Sequence, residues 1–148
     1  MTDGYDLARF VRAQAGLYPS ALAELRSGTK RTHWMWFVFP QILGLGLSSN
    51  ARIFAISGAA EARAYLAHDL LGDRLRESTS AMLEWVGKRS ACDILGPLDA
   101  LKFRSSMTLF EHVDSGDSRF SLALEGFCNG ERDRATLDRL EVSSPALQ

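Results

Sequence analysis

Apolar residues in this chain return every three or four positions, and period-two alternation is nearly absent. That spacing predicts helices and almost no strand. In DGYDLARFVRAQAG, Leu7, Phe10 and Val11 share one face, and Gly16 ends the pattern. In YPSALAELRSG, Pro19 stands where a first helical residue would be, with Gly28 past the end. Thr32 can cap a short helix over His33–Phe39, which Pro40 then stops. Apolar almost all round, that helix belongs in the core. Further helices are expected in SSNARIFAIS, capped by Ser48 or Ser49, and in SGAAEARAYLAH, capped at Ser57. LLGDRLRESTSAMLEWVG carries Leu71, Leu75, Met82, Trp85 and Val86 at helical spacing. PLDALKFRSSMTLFEHV opens on Pro97, SRFSLALEGFCNG runs from Ser118 to Gly130, and Asp133 can cap RATLDRL. The expected fold class is all-α: one compact domain over residues 1–148, built of about seven to nine short helices.

The helix from Pro97 changes the picture. At about 100° per residue, Leu98, Phe103, Met107, Leu109, Phe110 and Val113 occupy one half of the wheel. Asp99, Lys102 and Ser106 fall in that same half, while Arg104, Glu111 and the exception Leu101 take the other. An acid, a base and a hydroxyl therefore point inward or at the margin, where charges need partners or a polar pocket. Two readings follow. Asp99 and Lys102 pair at i, i+3 and Ser106 bonds to backbone, or Lys102 and Ser106 line a pocket for an anion.

The stretch KRTHWMWFVFPQ raises the same choice. Trp34 and Trp36 lie about 200° apart on a helix, so one fills the core and the other is free to stack on a ligand or a neighbour. His33 reads as a core or capping histidine, or as an acid–base group. Lys30 and Arg31 stand just before the helix, either as solvated charges or as partners of its free N–H groups for an anion.

Bulk properties remove several function classes. The chain has 148 residues, 46% of them hydrophobic and 24% charged, and a formal net charge of −1. Such a chain buries a sizeable core and has no global pull toward nucleic acid, so no nucleic-acid partner is expected. Pro40 and Gln41 interrupt the longest apolar run, so no membrane span is expected. The polar start MTDGYDLARF carries no secretory signal. Cys92 and Cys128 form no C-x-x-C pair and read as free thiols, which suits a cytoplasmic location. No phosphate-binding loop, serine elbow, H-E-x-x-H or dinucleotide fingerprint is present. GLGL at Gly44–Leu47 lacks a third glycine and a preceding strand, and reads as a connector. With His33, His68 and His112 scattered, no metal is expected, and no cofactor is implied.

Together FVRAQ, YPSALAELRSGTKRTHWMWFVFPQILGLG, EARAYLAH, LGDRL, GPLDALKFRSSMTLF and ATLDRL resemble, in order and over nearly the whole chain, a bacterial family of uncharacterised proteins. The family is catalogued as domain of unknown function 1810, and its members sometimes carry a calpastatin label. Nothing in this chain looks like a disordered inhibitor repeat. The resemblance implies a small, mainly helical, cytosolic protein and supplies no activity. Where the family pattern has proline after AYLAH this chain has Asp69; where it has leucine after DALK this chain has Phe103; and FCNG replaces its usual aromatic pair. Over a shorter part, KFRSSMTLF and LALEGFCNGERD are loosely similar to small helical proteins of NAD and ADP-ribose metabolism.

The expected function is binding or processing of a small anionic, nucleotide-like ligand of NAD or ADP-ribose type in a polar-lined pocket. Its ligand-binding residues are Lys30, Trp34, Trp36, Gln41, Lys102, Ser105 and Ser106, with His33 and Asp99 as acid–base candidates. The alternative is a non-catalytic helical interaction module.

Overall fold

The computed structural model describes residues 4–142, so the ends of the domain expected over 1–148, including the first three residues of the polar start, lie outside the described residues. The described chain forms ten helices. They are α1 Ala8–Gln14, α2 Tyr18–Ser27, α3 Met35–Val38, α4 Ser49–Ile53, α5 Ala59–Ala67, α6 Asp69–Leu83, α7 Ala91–Leu95, α8 Pro97–Val113, α9 Ser118–Cys128 and α10 Arg134–Val142. The only sheet-like pairing among the described residues is a parallel bridge between Ile42 and Ile56. No helix among them is long and apolar enough to cross a membrane.

Most of the punctuation read from the sequence operates. Pro19 lies in the first turn of α2, and Gly28 closes that helix with a left-handed φ of 78°. Ser48 caps α4 by accepting the Ala51 N–H at 3.1 Å. Asp133 accepts the Thr136 N–H at 3.0 Å in the first turn of α10. Three expected details are different. Thr32 does not cap α3; that helix starts two residues later than expected, at Met35, because the Thr32 hydroxyl is held by Glu24. Ser57 does not cap α5; its own N–H donates to the Glu61 carboxylate at 2.8 Å. The short helix α7, capped by Ser90, was not expected at all, since five residues are too few to show a period.

α8 is the centre of the molecule. It packs against α5, α7, α9 and α10, and every residue from Ser105 to Phe110 is buried. In the half of the wheel assigned to solvent, Leu101 is 56% exposed, whereas Arg104 and Glu111 are covered by neighbours. Arg104 and Glu111 are half-buried and reach Glu131 and Arg132. Leu98, placed in the apolar half, is instead 72% exposed. The core joins the inner faces of the helices through edge-on aromatic contacts, with Phe103 against Phe39 and Phe127 at centroid distances of 5.0 and 5.9 Å.

Candidate functional site

The link from α2 to α3 carries Lys30, Arg31 and Thr32. One side chain fixes it. Glu24 lies on the buried face of α2 and accepts four hydrogen bonds: from the Arg31 N–H at 2.7 Å, the Thr32 N–H at 3.0 Å, the Thr32 hydroxyl at 2.7 Å and the Trp34 indole N–H at 2.9 Å. Burial pushes the Glu24 carboxyl upward. The Arg31 N–H, the Thr32 hydroxyl, the Trp34 indole and the Thr32 N–H outweigh it, and the pKa falls from 4.5 to about 2. The ionised carboxylate thus holds the segment from Arg31 to Trp34 in one conformation. Lys30 is held from the other side, its N–H donating to the Ile94 carbonyl at 2.7 Å.

This fixed loop sets Lys30 opposite the first turn of α8. The Lys30 ammonium lies 3.0 Å from Asp99 Oδ2, and the Lys102 ammonium lies 3.1 Å from Oδ1 of the same carboxylate. Both cations also cover indole rings, Lys30 at 5.1 Å from Trp34 and Lys102 at 4.2 Å from Trp36. The side chains retain only 10%, 17% and 25% of their exposure for Lys30, Asp99 and Lys102. The i, i+3 pair expected from the wheel therefore forms, with a second lysine on the same acid.

The remaining candidates are placed as follows. Trp34 is buried in the core and Trp36 is half-buried, the unequal division expected; its cause is different, since Trp34 precedes α3 as a non-helical N-cap residue and its indole is held by Glu24. Ser105 bonds back to the Leu101 carbonyl at 3.2 Å. Ser106 does not bond to backbone: its hydroxyl is buried without a hydrogen-bond partner, one turn beyond Lys102. His33 is exposed at the start of the aromatic segment, and Gln41 is half-buried next to the Ile42 bridge, its carbonyl accepting the Ile56 N–H. No hydrogen bond or ion pair among the described residues joins either one to the lysine centre. Sequence reasoning missed Glu24. The signal was available, since Glu24 shares the apolar face of α2 with Ala21 and Leu25 just as Asp99 shares that of α8.

Four clefts formed by the described residues are lined by other residues. One of about 250 Å³ contains Arg26, Trp85 and Lys88, and one of about 200 Å³ contains both Cys92 and Cys128. Both thiols are free, Cys92 exposed and Cys128 half-buried, with burial pushing the Cys128 thiol up. Among the described residues no group of three or more His, Cys, Asp or Glu side chains is placed to hold a metal ion.

Two comparisons bear on identity. The family model described as protein of unknown function (DUF1810) matches residues 4–140. Among solved structures, the chain is similar to the conserved hypothetical protein Rv1873 from Mycobacterium tuberculosis, with 50% identity and a TM-score of 0.91 over 94% of this chain and 99% of that one. No curated protein matches.

Proposed function

This chain belongs to the DUF1810 family of proteins of unknown function, and from that premise we propose that it binds a small anionic, nucleotide-like ligand at the Lys30–Asp99–Lys102 centre. One observation carries the reading: two ammonium groups, both mostly withdrawn from water, share a single carboxylate. Withdrawing charge from water is costly unless it is balanced. One carboxylate balances one of the two cations, and a phosphate or carboxylate of a ligand is the natural partner for the other. Trp36 is half-buried with the Lys102 ammonium over one face, so a ligand ring meets the indole by its edge or its other face. The buried Ser106 hydroxyl is a further polar group in want of a partner. Gln41 and Ser105 complete the set of residues proposed to meet the ligand. Asp99 positions the lysines, and His33 at the exposed rim is the second Brønsted group available if the bound ligand reacts.

The test is a thermal-shift series with NAD, ADP-ribose, nucleotides and sugar phosphates, because a ligand that binds only the folded state raises its apparent stability. A concentration-dependent rise is expected for a phosphate-bearing member. Lys102→Met keeps the apolar stem and leaves Asp99 paired with Lys30. Stability should change by less than about 1 kcal/mol, while affinity falls roughly tenfold to a hundredfold. A second reading, a helical interaction module, is favoured by Leu98 and Leu101, exposed at 72% and 56% on the same turns of α8. It gains if none of these compounds shifts the unfolding transition, or if the Lys102 variant binds as well as the parent.

A further inference from the structure

After α6 ends at Leu83, the chain turns back and lays Trp85 against the end of α2. Its indole N–H donates to the Leu25 carbonyl at 2.9 Å. Gly28 lets the ring come close: a Cβ there would stand 2.8 Å from Trp85 Cζ2. The indole is thus fixed by a hydrogen bond and a glycine contact, yet it remains part of the surface. With Arg26, Glu84 and Lys88 it lines a cleft of about 250 Å³, and Lys88 also borders an adjoining cleft of about 330 Å³ that contains Arg89.

The charges around this indole are weakly compensated. Lys88 forms no ion pair among the described residues. Arg89 donates to the Gly28 and Asp93 carbonyls, at 2.9 Å each, and meets no carboxylate among them. Arg26 reaches Glu77 only at 3.7 Å, with both side chains exposed. An immobile aromatic face beside unpaired cations is the arrangement that takes a flat anion: the ring stacks on the indole and the anionic group meets the cations.

We infer that this cleft is a second binding site, for a planar aromatic anion of the nucleoside monophosphate type. The ring lies on Trp85 and the phosphate lies at Lys88, on the border of the two clefts, within reach of Arg26. Glu84, which has no ion pair among the described residues, accepts from a ring amino group or a sugar hydroxyl. Each cleft is near or below the lower end of the usual range for ligand sites, about 300–1,000 Å³. A single ring with one phosphate suits that space better than a dinucleotide. This inference goes beyond the proposed function and uses none of the residues of the lysine centre.

The chain has three tryptophans, so an ¹⁵N-labelled sample of the full chain gives three indole N–H signals, assigned by Trp85→Phe and Trp36→Phe. Titration with adenosine monophosphate should move the Trp85 signal to saturation and leave the Trp34 signal in place. Lys88→Met, a change at an exposed position, should weaken that response about tenfold while leaving the thermal unfolding transition unchanged. A Trp85 signal that stays still overturns the inference. So does a response that survives Lys88→Met, or one that inorganic phosphate reproduces in full, since the ring would then contribute nothing. Movement of the Trp36 signal alone speaks for the lysine centre and against this cleft, so the two proposals fail separately.

Discussion

Glu24 places one formal charge inside the molecule and surrounds it with four donors from a single loop. A carboxylate so held is an organiser, because each N–H or O–H it accepts removes a conformational choice from the Arg31–Trp34 segment. Glu24→Gln keeps the shape but turns one acceptor oxygen into a donor facing donors. We expect a loss of about 3 kcal/mol in urea unfolding, since hydrogen bonds to a charged group are worth roughly 1.5–3 kcal/mol each and some will re-form. The pH dependence follows from the depressed pKa. The contribution of Glu24 is full above its unfolded value of 4.5 and is lost as pH falls toward the folded value of about 2. Unfolding midpoints of the parent should therefore drop faster between those two values than those of the Glu24→Gln variant. Parallel curves would show that the carboxylate is not the group responsible.

At the level of elements, the junction of α5 and α6 shows how a local departure from a family pattern can be structurally silent. His68 is the N-cap of α6, its Nδ1 accepting from the N–H groups of Leu70 and Leu71 at 3.2 Å each. Asp69 is then the first helical residue. Proline is well tolerated at that position, because the N–H it removes has no intrahelical partner. The residue before a proline must be extended, and His68 already is, with φ −70° and ψ 127°. Aspartate suits the same place for a different reason, its charge meeting the positive end of the helix dipole. Asp69→Pro is accordingly expected to change thermal stability by less than about 0.5 kcal/mol. His68→Ala, which removes the cap acceptor, should cost about 1 kcal/mol. Equal effects of the two changes would contradict this assignment of roles.

Across the whole molecule, α8 joins the layers through Phe103, which is fully buried and meets Phe39 before the Ile42 bridge and Phe127 on α9 edge-on. The larger ring at a position where the family resemblance implies leucine therefore ties three separate segments together. Phe103→Leu should leave a void between them and lower stability by about 1–2 kcal/mol in a denaturant series. Far-ultraviolet circular dichroism should stay unchanged, because the helices themselves do not depend on that contact. A loss of helical signal at low denaturant would mean that α8 is less independent than its sequence suggests.

The sequence by itself determined most of the helices. Spacing of apolar residues, Pro19, Gly28, Ser48, Pro97 and Asp133 act within a turn or two of where they stand, and short-range effects are legible in one dimension. It also determined that Asp99 and Lys102 lie one turn from each other, since that follows from helical geometry alone. Tertiary structure decided the rest. Whether Thr32 caps a helix or answers Glu24 depends on which acceptor the fold brings near, and the buried carboxylate won. Leu98 is exposed and Arg104 half-buried because burial along α8 depends on where its neighbours pack, which no wheel can show. The second lysine on Asp99 comes from a residue far away in the chain. Charge pairing across such a distance is set by where whole helices pack, and only the folded chain holds that information.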